Sequence, residues 1–215
     1  LLPTEAQWEY AARARSRTRF ASGDEPLSLH EFGNVQDASF EVEFTKIDFE
    51  KHPGFGFIDG NVFTAVCGAY RPNAFGLHDM HGNVWEWCRD RYDSQYYARS
   101  PRVDPAGPDS GDTRVLRGGS WNDAPHFVRS AFRISRSPDG RCNLAGFRVV
   151  LQEGSEADRP GRCRPAETGP ATTCGAQPSR LQTLRSSSAI ACRMASPTSS
   201  TSIVAHVQPA VRPPS

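Results

Sequence analysis

Lysine is almost absent from this chain: Lys46 and Lys51 stand alone, and arginine carries the rest of the positive charge. That imbalance reflects codon usage rather than a partner. With 25 basic and 24 acidic side chains the formal net charge is +1, which gives no general attraction for nucleic acid or an anionic membrane surface. No apolar run approaches the ~18 residues that a bilayer-spanning helix needs. The six cysteines (Cys67, Cys88, Cys142, Cys163, Cys174, Cys192) show neither a CxxC spacing nor a zinc-type pairing with histidine. Cys67 and Cys88 read as small buried thiols, and nothing in the tail would hold disulfide geometry for the last three. Aromatic residues vanish after Leu151: residues 152–215 contain no Phe, Trp or Tyr. A segment so poor in apolar area cannot offset its conformational entropy, so disorder is expected there, with one domain over residues 1–151. No charged n-region followed by an apolar stretch opens the chain, so no signal peptide is visible and the compartment stays open.

What is present centres on Pro72 to Cys88. This stretch packs six large apolar or aromatic side chains, two glycines and the oxygen-bearing Asp79, Asn83 and Glu86 into a short length. Neither strict alternation nor a long helical period runs through it. A hard cation held by these oxygens, with carbonyls near Gly82 and Val84, would fix such a backbone, since calcium takes six to eight oxygen ligands at roughly 2.3–2.6 Å.

Upstream, Thr4 and Gln7 have the spacing of a capping box, with Glu5 in the first turn and Arg13 in the last, so a short helix docked by Trp8 is expected before Arg15. Phe40, Val42 and Phe44 alternate with Glu41 and Glu43 as an extended arm, and residues 52–57 form a glycine-broken aromatic loop. Asp59-Gly60-Asn61 reads as a turn. Tyr92 to Tyr97 suits a short helix or turn. Strands are expected at Arg114–Arg117, Val128–Arg136 and Gly146–Leu151, separated by loops rich in Pro and Gly. The class is α+β with low regular content.

Several segments together resemble the formylglycine-generating enzyme, or sulfatase-modifying-factor, family. They are Leu2-Pro3-Thr4-Glu5-Ala6-Gln7-Trp8-Glu9-Tyr10-Ala11-Ala12-Arg13, Pro72 through Trp87, Arg114-Val115-Leu116-Arg117-Gly118-Gly119-Ser120-Trp121, Arg129 to Arg133, and Gly146-Phe147-Arg148-Val149. The resemblance runs in order through Leu151 and implies an irregular, C-type-lectin-like fold. It also implies a fragment that lacks the N-terminal part of the family's domain.

Carried over position by position, the resemblance implies two calcium sites. One would use Asn34, the Val35 carbonyl, Asp59 and the Asn61 carbonyl. The other would use Asp79, the Gly82 and Val84 carbonyls, and Glu86. The family's enzymes oxidise a substrate cysteine with two cysteines that hold copper(I), a metal suited to soft thiolates. Here those positions are Asp123 and Val128, so copper is not expected. Trp85 and Ser120 match residues that line the family's oxygen pocket.

The resulting expectation is a calcium-stabilised binding or accessory module without cysteine-oxidase activity, a pseudoenzyme. Trp121, Asn122, His126 and Phe127, with residues 134–143, would face a protein or small-ligand partner through the loop after Gly119. The rival is a metal-dependent oxidoreductase acting on a Cys-containing sulfatase-type protein. It would need Asp123, His126 and a further ligand; a second histidine would have to come from elsewhere, and His78 and His81 lie within the central stretch. A third reading is an accessory domain of a larger enzyme or kinase.

Overall fold

The computed structural model describes residues 1–39 and 57–152, together with the backbone of strands at 191–192 and 201–207. The expected arm at residues 40–44 and most of the aromatic loop at 52–56 lie outside the described residues, as does the greater part of 152–215.

Helix α1 (Glu5–Arg13) starts where its capping residues place it. Thr4 Oγ1 accepts from the Gln7 amide at 3.2 Å and Gln7 Oε1 accepts from the Thr4 amide at 2.9 Å. Such a cap contributes about 1 kcal/mol. The helix ends at Ala14, which takes a left-handed conformation with φ 44° and returns its N–H to the Tyr10 carbonyl. The inward face carries Trp8, Ala11 and Ala12, all fully buried. Their partners are Leu77, Met80, Cys88, Val115 and Val150.

The sheet against which α1 packs has six strands. They are β1 (Trp85–Arg91), β2 (Arg114–Arg117), β3 (Arg133–Arg136), β4 (Ala145–Gln152), β5 (Ala191–Cys192) and β6 (Thr201–Val207), in the order β3-β2-β1-β4-β6-β5. β1 runs parallel to β4, with Trp85 opposite Ala145, and every other pairing is antiparallel. Short 3₁₀ turns at Pro26–Glu31 and Tyr96–Ala98 complete the regular structure of the described residues. One helix and a mixed sheet joined by long loops make an α+β domain, and among the described residues no helix is long and apolar enough to cross a membrane.

Three elements differ from the sequence expectation. The central stretch is not irregular throughout, because its last residues from Trp85 onward form β1. The strand expected from Val128 begins only at Arg133. Side chains have claimed the backbone before it: His81 Nδ1 donates to the Val128 carbonyl at 2.8 Å, and the buried Arg117 guanidinium donates to the carbonyls of Ser130, Ala131 and Phe132. Finally, β5 and β6 lie inside the segment expected to be disordered. The β6 segment Thr-Ser-Ile-Val-Ala-His-Val is rich in β-branched residues, and it lies along β4 from Phe147 to Gln152.

A smaller cluster of Phe20, Leu29, Val35 and Val128 packs below the loops. Two glycines permit the loops to meet. A side chain at Gly82 would place its Cβ 1.9 Å from the Asn34 carbonyl oxygen, and φ there is +77°. At Gly119, with φ +80°, a Cβ would fall 2.4 Å from Val128. Both positions therefore require glycine.

Candidate functional site: two oxygen-rich loops and a pocket floor

The first oxygen-rich loop forms where residues 34–39 meet residues 57–63. Asn34 is fully buried; its amide nitrogen donates to the Phe63 carbonyl at 2.6 Å, and its Oδ1 has no hydrogen-bond partner. The Asp59 carboxylate accepts from the Asn61 amide at 2.7 Å and from the Tyr70 hydroxyl at 2.6 Å. Burial pushes the Asp59 carboxyl up, Tyr70 and Asn61 oppose that, and the charge of Asp37 raises it further. Burial and the Asp59 charge likewise push the Tyr70 phenol up, so it stays a donor. Asp37 went unrecognised in the sequence. It is 1 % exposed, and it accepts from the Asp59 amide at 2.6 Å and from the Ser39 amide at 2.9 Å. An orphaned buried amide oxygen and two carboxylates on adjoining segments are the donor types that a hard cation takes.

The second loop is built differently. Glu86 is buried on β1, where its Oε2 accepts from the Trp8 indole N–H at 2.6 Å and from Arg148 Nε. Arg148 Nη2 donates to Glu86 Oε1 at 2.7 Å and to the carbonyls of His78 and Asp79 at 3.2 Å. Positive charge is thus already present here as a guanidinium, and Glu86 offers no uncommitted carboxylate in the way the first loop offers Asn34 Oδ1. Asp79 lies in a left-handed turn with φ 56°, and its Oδ2 accepts from the Gly68 amide at 2.7 Å. Asn83 is used within the protein: its Oδ1 accepts from the Ala65 amide at 3.0 Å and its own amide donates to the Asn34 carbonyl at 2.6 Å. The two loops are therefore joined directly. Gly82 and Val84 contribute backbone positions on the same turn, and Gly82 N donates to the Gly118 carbonyl.

Trp85, which the resemblance places in the family's oxygen pocket, opens β1. It is 4 % exposed and lies 6.1 Å from the Phe132 ring, which stands edge-on to Phe127 at 5.2 Å. Ser120 is fully buried; its amide donates to Asp123 Oδ2 at 2.8 Å, and its hydroxyl bonds the same oxygen. Burial pushes the Asp123 carboxyl up, while Ser120, the Trp85 side chain and the nearby His126 hold it down. Asp123 is therefore tied to Ser120 and Trp85. Val128 is fully buried with Phe20, Leu29 and Val35.

The recognition residues divide. Asn122 and His126 are exposed and Phe127 is half-buried, but Trp121, expected to be exposed, is 8 % exposed. Its ring stands edge-on to Phe63 at 5.2 Å, because its backbone is drawn in by the Asn83 carbonyl. His81 cannot serve Asp123 and His126 as a third ligand in this arrangement. Its Nδ1 donates to Val128, and its Nε2 accepts from the Ala21 amide at 3.0 Å. His78 Nδ1 lies 2.6 Å from the Tyr70 carbonyl. Among the described residues, Cys67, Cys88 and Cys142 are free thiols, and Cys88 lies in the core, where burial pushes its pKa well up.

Fold and site together define a loop-dominated α+β domain with an oxygen-rich loop and an aromatic group beside Trp85. Residues 1–153 match the sulfatase-modifying factor enzyme 1-like domain, and the chain belongs to that family. It is 41 % identical over 165 residues to a formylglycine-generating enzyme of Streptomyces coelicolor, covering 73 % of this chain and 49 % of that protein. It is 34 % identical over 160 residues to the inactive C-alpha-formylglycine-generating enzyme 2 of Mus musculus, covering 71 % and 43 %. Among solved structures, Treponema denticola variable protein 1 superposes with a TM-score of 0.55 at 31 % identity, over 68 % of this chain and 45 % of that one. The chain thus spans about half the length of these curated relatives.

Proposed function

We propose that this chain is a non-oxidising member of its family, a binding or accessory module on a C-type-lectin-like scaffold with a calcium ion at the first oxygen-rich loop. The observation that carries this reading is the fate of the positions expected to hold the copper-binding thiols. Asp123 is a hard ligand already held by Ser120 and Trp85, and Val128 is a core side chain. Neither gives copper(I) the soft thiolate it favours. A relative at 34 % identity is itself named as inactive, which accords with loss of the reaction inside this family.

Calcium would be held by Asn34, Asp59 and the carbonyls of Val35 and Asn61, and it would fix the loop on which the Phe63–Trp121 contact rests. The partner surface would be Asn122, His126 and Phe127, at the mouth above Trp85. Exposed polar groups beside a half-buried aromatic ring give the mixture that recognition surfaces use.

The rival oxidoreductase reading makes a direct demand: oxygen must be consumed in step with loss of a peptide thiol. We expect no oxygen uptake above background when the protein, supplied with copper(I) and reductant, meets a Cys-containing sulfatase-type peptide. Stoichiometric uptake with conversion of that cysteine would overturn the non-oxidising assignment.

A further inference from the structure

Two of the deeply buried acids of this protein come with arginines. Glu5 is paired with Arg117 and Arg133, and Glu86 with Arg148. Asp37 and the half-buried Asp59, like the buried Asp90, are not so paired. Neither takes part in an ion pair among the described residues, although Asp37 is 1 % exposed and its charge is felt at Asp59. Like charges held close together repel, and a positive charge beside them relieves that repulsion.

Three contacts fix where that charge would sit. Ala38 N donates to the Phe57 carbonyl at 2.9 Å, Asp59 N to Asp37 Oδ2 at 2.6 Å, and Asn34 Nδ2 to the Phe63 carbonyl at 2.6 Å. Segments 34–38 and 57–63 therefore lie side by side in opposite directions. Along these segments Asp37 and Asp59 lie between the outer contacts, and Asn34, whose fully buried Oδ1 has no hydrogen-bond partner, makes one of them. The Asp59 carboxylate receives the Tyr70 hydroxyl and the Asn61 amide, and the Asp37 carboxylate receives Ser39 and the Asp59 amide, so both side chains are fixed in place before any ion arrives.

We propose that Asp37 supplies a second negative charge to the cation site of Asn34 and Asp59, so that a divalent, oxygen-seeking cation is fully neutralised there. This inference rests on the calcium reading of that loop. Charge count is a main determinant of calcium affinity in oxygen sites, so Asp37 would set the strength of the site rather than merely cap a turn.

The test is a calorimetric titration of the full chain, stripped with EGTA, with calcium chloride, read alongside thermal midpoints in calcium and in EGTA. The variants are Asp37→Asn and Asp37→Ser, with Asp59→Asn marking the signal of the same loop. Serine keeps a short acceptor for the Ser39 and Asp59 amides if asparagine disturbs the fold. We expect either Asp37 variant to weaken calcium binding by about tenfold or more, about 1.4 kcal/mol. The calcium-dependent rise in midpoint should shrink in parallel, while the midpoint in EGTA holds or rises as repulsion is relieved. Unchanged calcium affinity in Asp37→Asn or Asp37→Ser, with Asp59→Asn impaired, would overturn the role of Asp37 and leave the calcium reading standing. A wild-type protein with no calcium heat and no midpoint change between calcium and EGTA would remove both.

Discussion

His81 shows how one side chain ties separate loops together. Its imidazole is fully enclosed, edge-on to Phe20 at 5.8 Å, with one nitrogen donating to Val128 and the other accepting from Ala21. The ring must be neutral for Nε2 to accept, and burial pushes its pKa down to about 4 against the pull of the Val128 carbonyl, with the Arg13 charge adding to the fall. In the unfolded chain the same group titrates near about 6.5. Between those values the unfolded state binds the extra proton, so folding is fully supported above about pH 6.5 and weakens as the pH falls towards about 4. The expected loss is about 3 kcal/mol across that interval. Urea midpoints at pH 7.5 and 4.5 check it: a folded His81→Gln protein should show a shallower pH slope than wild type. An identical slope would mean that other groups dominate the acid limb.

At the scale of elements, the bond between β1 and β4 turns on a buried charge. Arg148 on β4 spans the Glu86 carboxylate of β1 and two carbonyls of the preceding loop, and the indole of Trp8 on α1 closes the group. Replacing Arg148 by Met takes the guanidinium away from a buried carboxylate, and loss of one partner of a buried pair costs about 3–5 kcal/mol. Glu86→Gln in the same chain should recover much of that loss in chemical denaturation, because the stranded charge is gone; additive losses would contradict the coupling.

This group also explains how far the sequence could be read. The Thr4–Gln7 cap and β2 were legible because they depend on local chemistry, and Asp79 and Glu86 stood out as oxygens in a dense loop. What was not legible was Arg148 as the partner of Glu86, 62 residues along the chain, or Asp37 against Asp59, because neither pairing leaves a periodic trace. The start of β3 was misplaced for a related reason. Arg117 and His81 take the carbonyls before Arg133, and hydrophobic alternation carries no record of a distant side chain claiming a backbone.

For the molecule as a whole, the question is what completes the sheet along β4. On one side, past its short pairing with β1, Val150 exchanges backbone hydrogen bonds with Leu1: its amide donates at 2.8 Å and its carbonyl accepts from the terminal amine at 3.1 Å. Backbone groups alternate in direction along a strand, so the amides of Val149 and Leu151 face the other way, towards β6, where their partners are Val204 and Ser202. Leu1 and β6 thus lie on either side of one strand, and an edge that would otherwise present unpaired groups is covered. Proline at position 204 removes an N–H and is poorly tolerated inside a paired strand. In Val204→Pro, hydrogen exchange of the Val149 and Leu151 amides should accelerate by orders of magnitude while that of Val150 changes far less, since its acceptor is Leu1. Acceleration at all three residues would instead mean that β6 holds β4 in place as a unit. No change at Val149 and Leu151 would remove β6 from the sheet and leave β4 as its edge.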